Sequence, residues 1–238
     1  MKCEILALAA HPDDVELSCG GTIIKHTSAG HKVVVADFTK GEMGTRGNPK
    51  LRMKEAASAG KILGLSARVN LGMKDVFFTN DNDHRIEVAK IIRHYQPEIL
   101  LINAPADRHP DHGKAAQLAI DAAFMSGLAK VETRYKGKIQ KAWRPKRIYH
   151  YIQCQYFTPS FVIEITKELP KKMEAIRCFS SQFYSSNFKG PETFISTPEF
   201  IKFIEARSRE MGQILQFEHA EGFVQTRYPG VKSLLDLL

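Results

Sequence analysis

The feature that most constrains the fold is an alternation of short apolar segments with longer helical patterns along the first two thirds of the chain. Glu4–Ala10, Lys32–Thr39 and Glu98–Ala104 are rich in Val, Ile, Leu and Ala, as buried strands are. Between them, Leu51–Leu63 and Arg85–Tyr95 carry apolar residues at helical spacing. This order predicts an α/β fold with a parallel sheet that is flanked by helices.

The remaining segments extend this pattern. A helix is expected to open at Gly20-Gly21-Thr22 and to run to about Ser28, and Arg68–Leu71 is a short strand candidate. A further helix is expected from about Gly113 to Phe124. The C-terminal third continues as an extension of two strands and two long helices, over Arg147–Gln153, Phe161–Thr166, Lys167–Phe183 and Pro198–Phe217. No segment rich in Gly, Ser or Pro separates two units, so we expect one domain over residues 1–238.

The composition excludes several classes of protein. With 43% hydrophobic and 25% charged residues, the chain is neither collagenous nor disordered. No apolar segment approaches the roughly 20 residues of a membrane-spanning helix, and the apolar start runs into an acidic motif, unlike a secretory signal. The four cysteines lie far apart and are too few for a disulfide framework, so we expect reduced thiols in a cytoplasmic protein.

The charge balance is basic. The chain has 34 Lys and Arg against 26 Asp and Glu, a net charge of +8 that attracts anionic ligands. The basic residues are scattered apart from a loose cluster at Arg134–Arg147, and no helix-turn-helix, zinc-finger or RNA-binding pattern accompanies them. We therefore expect neither nucleic acid nor membrane as a partner. The charge either attracts an acidic small substrate or belongs to a solvated surface.

Two similar motifs follow predicted strands. His11-Pro12-Asp13-Asp14 follows the first strand, and His109-Pro110-Asp111-His112 follows Glu98–Ala104. In open α/β sheets the ligand site lies beyond the carboxyl ends of the strands, so the motifs face each other if their strands are neighbours. A single motif of this kind is usually a turn in which Asp caps the next helix. Two of them, each with a further His or Asp, favour a metal site.

The residue types suit metal-assisted hydrolysis. A catalytic zinc takes three nitrogen or oxygen ligands from the protein, and His11 and Asp14 can point to one position because residues three apart share a helix face. His112 would complete the set. Asp13 is then free to accept a proton from water. His109, oriented and kept protonated by Asp111, can stabilise the oxyanion and protonate the leaving amine.

The two motifs and Gly20-Gly21-Thr22 together resemble the PIG-L/LmbE family of zinc-dependent N-acetylglucosamine deacetylases. The resemblance covers most of the chain. Further segments look like the branch that makes bacillithiol and deacetylates N-acetylglucosaminyl-malate; they are Gly41–Gly47, Leu51-Arg52 with Glu55-Ala56, Pro159–Phe161, Ser181–Tyr184 and Ala220–Phe223.

The resemblance implies a Rossmann-like α/β fold and one Zn²⁺ per chain, or another divalent metal such as Fe²⁺. It implies that the metal ligands are His11, Asp14 and His112. It also implies Asp13 as the general base and His109, paired with Asp111, as the electropositive partner of the intermediate. The substrate is expected to be an acidic amino-sugar glycoside, and the chain is expected to form hexamers.

Substrate contacts follow from the same resemblance. Arg52 resembles an arginine that contacts the sugar hydroxyls or the anionic part of the substrate, and Met43 and Arg46 lie in a loop that is expected to contact the sugar. Some relatives use a mobile tyrosine to hold the oxyanion. Phe200 aligns with that tyrosine here and has no hydroxyl, so either Tyr184 replaces it or the role is absent.

Two alternatives stay open. The first keeps the chemistry and changes the substrate to another N-acyl amino sugar or a chitooligosaccharide. The second is a basic nucleotide- or nucleic-acid-binding α/β module in which the His and Asp residues only cap helices. The Gly41–Gly47 loop matches neither the P-loop nor the dinucleotide fingerprint, and capping residues would hold no stoichiometric zinc.

Overall fold

The computed structural model describes residues 1–228, 230–233 and 235, and in these residues nine strands and six helices follow one another. The strands are β1 (Ile5–Ala9), β2 (Val33–Thr39), β3 (Ala67–Met73), β4 (Ile99–Ile102), β5 (Arg134–Tyr135), β6 (Lys138–Ile139), β7 (Arg147–Tyr151), β8 (Phe161–Glu164) and β9 (Ala220–Gln225). The helices are α1 (Asp14–Ser28), α2 (Pro49–Ile62), α3 (Asn82–Tyr95), α4 (Pro110–Ser126), α5 (Leu169–Arg177) and α6 (Pro198–Gln213).

Seven of the described strands form the central sheet, in the order β3-β2-β1-β4-β7-β9-β8. The pairs from β3 to β7 are parallel, and β9 runs antiparallel to both of its neighbours. The predicted α/β fold with a mostly parallel sheet is therefore confirmed. Ile5 of β1 pairs with both Val33 and Ile99, so β1 and β4 are neighbours. Their carboxyl ends, which carry the two His-Pro-Asp motifs, meet at one edge of the sheet.

Both faces of the sheet are buried. The side chains of β1 alternate between two apolar clusters, with Ala7 in the cluster that includes residues of α1, α2 and α5, and Leu8 in the cluster that includes residues of α3 and α4. All residues of β1 and β2 are buried, as strands covered on both faces must be. Within the described part of the chain, no helix is long and apolar enough to cross a membrane.

Most helix boundaries differ from the sequence-based expectation by a few residues: α2 begins at Pro49, α3 begins at Asn82, and α6 ends at Gln213 and not at Phe217. α1 begins at Asp14, six residues before the predicted start, and has a kink at Cys19, where φ is −136°. α4 begins at Pro110, because a proline at the first helical position fits the helical φ and needs no N–H partner. α5 ends at Arg177, so the helix predicted over Lys167–Phe183 is too long. Strand β9 and the β5–β6 hairpin were not predicted.

Candidate active site

The two His-Pro-Asp motifs come together at the carboxyl edge of the sheet. The ring of His11, which follows β1, has its centroid 4.6 Å from that of His109 and 5.5 Å from that of His112. His11, Asp13, Asp14 and His112 are all at most 8% exposed, and they line one cleft of about 260 Å³. A cleft with convergent polar groups at this edge is the expected place for a ligand.

Three of these side chains, His11, Asp14 and His112, carry the donor atoms of the predicted metal site. Tetrahedral zinc with bonds of about 2.0–2.2 Å places neighbouring ligand atoms about 3.3–3.6 Å apart. Asp14 Oδ1 lies 3.1 Å from His112 Nε2, and Asp14 Oδ2 lies 3.8 Å from His11 Nδ1. Among the described residues, the groups of three whose donor atoms all lie within 4.8 Å of one another are His11 with His109 and His112, and His11 with Asp75 and Asp111. The ligand set His11, Asp14 and His112 stays a prediction.

The electrostatics of this cluster require positive charge. Burial on its own lowers the pKa of His11, but hydrogen bonds to Asp111 and Asp75 outweigh it and raise the pKa to about 9. Burial also disfavours the protonated form of His112, yet the charge of Asp14 raises its pKa to about 10. Burial disfavours the charge on Asp14 too, but the two rings hold its pKa well below the usual range. A bound divalent cation would replace the positive charge that the protonated rings of His11 and His112 carry in the metal-free chain.

Asp13 is available for proton transfer because it does not cap a helix. It precedes α1, yet its side chain makes no hydrogen bond to the N–H groups of the first turn. Its Oδ2 accepts instead from Arg52 Nη2 at 2.8 Å. Burial raises the pKa of Asp13 to about 7, with Arg52 acting in the opposite direction. The interpretation that this motif only caps a helix is wrong for Asp13, and a carboxyl with this pKa suits a general base at neutral pH.

The predicted pairing of His109 with the Asp111 side chain is wrong. His109 Nδ1 accepts from the backbone N–H of Asp111 at 3.3 Å and thereby caps α4, so the ring's other nitrogen carries its N–H. The Asp111 carboxylate lies instead 2.5 Å from Lys114 Nζ and 3.4 Å from His11 Nε2. Burial, followed by the charges of His11 and His112, lowers the pKa of His109. The lowered pKa favours a neutral ring, whose Nε2–H can act as a hydrogen-bond donor.

The three residues predicted to contact substrate all line the cleft. Arg52 is 7% exposed, and its Nε donates to the carbonyl oxygen of Pro12 at 3.1 Å, so it supports the first motif as well. Arg46 Nε donates to the carbonyl oxygen of Ser181 at 2.9 Å, and Met43 is 58% exposed at the rim. These contacts explain why Arg46 and Arg52 are buried although both carry a charge.

Neither Phe200, which aligns with the family's tyrosine, nor Tyr184, the candidate replacement, places a hydroxyl in the cleft. Phe200 lies at the cleft but is 4% exposed and stacks on Phe183. Tyr184 is 55% exposed and does not line the cleft. Phe194, which the sequence reading did not single out, lies at the cleft with the guanidinium of Arg108 stacked 4.3 Å from its ring centroid.

Sequence reasoning missed the polar side chains that hold the motifs in place. Asn103 Nδ2 and Gln153 Nε2 donate to the two carboxylate oxygens of Asp14, at 3.0 and 3.2 Å. Asp107 and Asp75 each contact one of the two histidines. A signal for Asn103 and Gln153 existed, since each is an amide at the end of a predicted buried strand. Asp75 follows β3 as a single aspartate between Lys74 and Val76, and no local pattern gives such a signal.

Comparisons with known proteins agree with this site. The sequence profile of the PIG-L family, described as GlcNAc-PI de-N-acetylase, matches residues 6–123, which include both motifs. A diacetylchitobiose deacetylase of Thermococcus kodakarensis is 29% identical over 82% of this chain and 75% of its own length. An uncharacterized deacetylase of Escherichia coli is 30% identical over 65% of this chain and 84% of its own length.

Two further similarities bear on substrate and fold. A probable N-acetyl-α-D-glucosaminyl L-malate deacetylase of Bacillus anthracis is 26% identical over 75% of this chain and 81% of its own length. The crystal structure of a conserved protein of Thermus thermophilus superimposes with a TM-score of 0.86 at 32% identity, covering 97% of this chain and 98% of the other. The similarity of fold therefore extends over almost the whole chain.

Proposed function

The chain belongs to the PIG-L family of N-deacetylases, and we propose that it hydrolyses the acetamide of an N-acetylglucosaminide with an acidic aglycone, N-acetylglucosaminyl-L-malate being the expected substrate. The observation that carries the reaction is the position of Asp13. It is a buried carboxyl of the first His-Pro-Asp motif that caps no helix, and it precedes the predicted metal ligand Asp14 in the sequence. A metal ligand set beside a carboxylate that can accept a proton is what amide hydrolysis requires.

In this proposal His11, Asp14 and His112 hold one divalent metal, with zinc as the expected ion. When bound, the metal polarises the amide carbonyl and makes an attacking water more acidic. Asp13 accepts a proton from that water as the water oxygen attacks the carbonyl carbon. His109, through its Nε2–H, donates a hydrogen bond to the developing oxyanion. When the C–N bond breaks, the proton on Asp13 passes to the leaving amine, and the products are acetate and the free amino sugar.

An acidic aglycone is favoured by the arginines of the cleft. Arg46, Arg52, Arg108 and Arg207 line it. Arg52 is paired with Asp13, and Arg46 and Arg207 donate to backbone carbonyls. Among the described residues, no carboxylate lies within ion-pair distance of Arg108, whose guanidinium contacts only an aromatic face. A carboxylate of the aglycone would give Arg108 a bidentate partner.

A second substrate class has its own support. The relative from Thermococcus kodakarensis, whose name gives diacetylchitobiose as its substrate, is similar over more of this chain than the relative named for the malate conjugate. Diacetylchitobiose has a neutral sugar as its aglycone, so it offers no anion to Arg108. The charge of the aglycone therefore separates the two candidates.

The test is acetate release from a panel of N-acetylglucosaminides by the zinc-loaded full chain. The panel contains the L-malate conjugate, its neutral dimethyl ester and diacetylchitobiose. We expect kcat/KM to be highest for the malate conjugate and to fall about 10- to 100-fold for the ester, which keeps the shape and removes the charge. A higher kcat/KM for diacetylchitobiose would overturn the acidic substrate, and no acetate release from any member would overturn the proposed function.

We further propose that residues 1–238 act as one catalytic domain, that the chain assembles as a hexamer, and that it works in the cytoplasm. The sheet supports the first point, because the C-terminal strands β8 and β9 continue it. All four cysteines are free, which suits a reducing compartment. Sedimentation equilibrium of the purified chain tests the hexamer.

A further inference from the structure

The two ring nitrogens of His112 face different carboxylates. Nε2 lies 3.1 Å from Asp14 Oδ1, and Nδ1 lies 2.6 Å from Asp107 Oδ2. An ionised carboxylate can only accept a hydrogen bond, and a metal-bound imidazole carries its single N–H on the nitrogen that does not hold the metal. If Asp14 is a ligand, the N–H of His112 therefore lies on Nδ1 and is donated to Asp107.

Asp107 is itself fixed by the fold. It lies between β4 and α4, and its side chain is only 1% exposed. Its second oxygen, Oδ1, accepts from the backbone N–H of Gln155 at 2.6 Å, just beyond β7. The carboxylate thus joins the carboxyl ends of two neighbouring strands and has one oxygen left for His112. A rigid acceptor of this kind holds a histidine ring in one orientation.

His11 has the same arrangement with its nitrogens exchanged. Its Nε2 lies 3.0 Å from Asp75 Oδ1, which leaves Nδ1 on the side of Asp14. The other oxygen of Asp75 accepts from the backbone N–H of Met43 at 3.0 Å. Asp75 therefore connects the histidine to the loop that carries Met43 and Arg46, two of the side chains at the cleft.

We propose that Asp107 is a positioning residue of the metal centre, which directs Nε2 of His112 to the metal, and that Asp75 directs Nδ1 of His11 to it. The inference rests on the proposed metal site and not on the identity of the substrate. Neither carboxylate touches the metal or the substrate in this role. Each fixes the ring orientation and increases the basicity of the ligand nitrogen by accepting the opposite N–H.

The test is the zinc affinity of the purified chain, measured by competition with a chromophoric chelator in the absence of substrate. Asp107→Ala is expected to raise the zinc Kd about 10- to 100-fold, as loss of such a partner does in other metal sites. Asp107→Asn keeps an acceptor without the charge and should give a smaller increase. Asp83→Asn, at an exposed position in the first turn of α3, makes the same chemical change away from the site and should leave the Kd unchanged.

A spectroscopic measurement identifies the nitrogens directly. In the full chain labelled with ¹⁵N-histidine and loaded with ¹¹³Cd²⁺, we expect one-bond ¹⁵N–¹¹³Cd coupling at Nε2 of one histidine and at Nδ1 of another. His112→Ala should remove the first signal. Coupling through Nδ1 of His112, or a wild-type zinc Kd in a folded Asp107→Ala variant, would overturn the inference.

The outcome is separable from that of the proposed function. Acetate release at limiting zinc should fall in Asp107→Asn and return when zinc is added in excess, because a positioning residue changes metal occupancy more than the chemistry. If the wild-type chain released no acetate from any substrate, the proposed function would fail. The Kd values and the Cd²⁺ spectra would still decide the role of Asp107.

Discussion

Asp13 combines a strained backbone with a buried carboxyl that pairs with Arg52 instead of capping α1. Its φ of 123° lies in a region that residues other than glycine rarely adopt, and holding it there costs on the order of 1–3 kcal/mol. The turn directs the carboxylate away from the N-terminus of α1 and toward Arg52. Backbone strain of this kind is common at active sites, where a side chain must point toward the reacting groups and not toward a helix end.

Asp13→Asn is expected to keep zinc and to lower kcat about 10²- to 10⁴-fold, the usual contribution of a general base. Asn keeps the shape of the side chain and tolerates positive φ, but it cannot accept a proton from water. Zinc content by atomic absorption and acetate release by a coupled assay measure the two effects separately. His109→Ala should also keep zinc and lose a comparable or smaller share of kcat. Near-full activity of the zinc-loaded Asp13→Asn variant would show that another group is the base.

Zinc loading is expected to release close to two protons per ion at pH 7. The reason is that the pKa values of about 9 for His11 and about 10 for His112 keep both rings protonated in the metal-free chain, whereas ligand histidines are neutral. Calorimetric titration with zinc in buffers of different ionisation enthalpy gives the number of protons. The apparent affinity should therefore rise with pH up to about pH 10 and level off above it. A proton count near zero at pH 7 would mean that these two rings are not ligands.

At the scale of elements, the kink in α1 explains why a glycine pair lies in the middle of a helix. The N–H groups of Gly21 and Thr22 are released by the kink at Cys19 and donate to the carboxylate of Glu221 at 2.9 and 2.7 Å. A Cβ on Gly21 would lie 2.8 Å from the side chain of Ile165, so this position accepts no larger residue without movement. Helix α1 is therefore fitted to β9 and to the segment after β8.

The parts of the fold that sequence could predict are those with local causes. The apolar periodicity of β1, β2 and β4 and the motifs that follow them were sufficient for the sheet and for the position of the site. The start of α1 at Asp14 was missed because the helix is kinked at Cys19, and only the part after the kink has a helical pattern in the sequence. The N–H groups that the kink frees donate to Glu221, which is far away in the sequence. β9 was missed because Glu221 places a charge inside a buried strand, which no local pattern indicates.

Glu221→Ala is expected to destabilise the protein by about 3–5 kcal/mol, because it leaves the ammonium of Lys172 buried without its partner. The two side chains are each 2% exposed, and their charged atoms lie 2.6 Å apart. Chemical denaturation of the metal-free chain measures the free energy of unfolding. The matched variant Glu221→Ala with Lys172→Met removes both charges and should recover part of the loss. If the double variant were less stable than Glu221→Ala, the buried pair would not be the cause.

At the scale of the whole molecule, the positive charge lies away from the cleft. Residues 130–147 contain eight Lys and Arg and one Glu, so this segment holds seven of the eight net charges of the chain. All eight of these side chains are exposed. The segment joins α4 to the start of β7, and the backbone N–H of Lys146 donates to Glu98 just before β4. It therefore lies at the amino edge of the parallel strands, opposite the cleft.

This distribution changes the role that the net charge of +8 can have in binding. Strands of about five residues separate the two edges by about 16 Å, which is twice the Debye length of about 8 Å at physiological ionic strength. Exposed charges at that distance are largely screened. The attraction of an acidic substrate must therefore come from the arginines in the cleft, of which Arg108 has no carboxylate partner in the described part of the chain.

We expect KM for the malate conjugate to rise with ionic strength while kcat changes little. Of two groups of charges, Arg108 in the cleft and three lysines at the opposite edge, we expect only Arg108 to cause the salt dependence of KM. Arg108→Gln should raise KM and flatten its dependence on salt, because the side chain keeps its polarity and loses the charge that the salt screens. A triple variant, Lys136→Gln with Lys138→Gln and Lys141→Gln, removes three charges from the opposite edge and should leave both KM and its salt dependence as in the wild type. Initial rates between about 100 and 500 mM NaCl, where the Debye length of about 10 Å or less stays below the distance between the edges, measure all three proteins. If the triple variant lost the salt dependence and Arg108→Gln kept it, the substrate would be attracted by the field of the whole molecule rather than by the cleft.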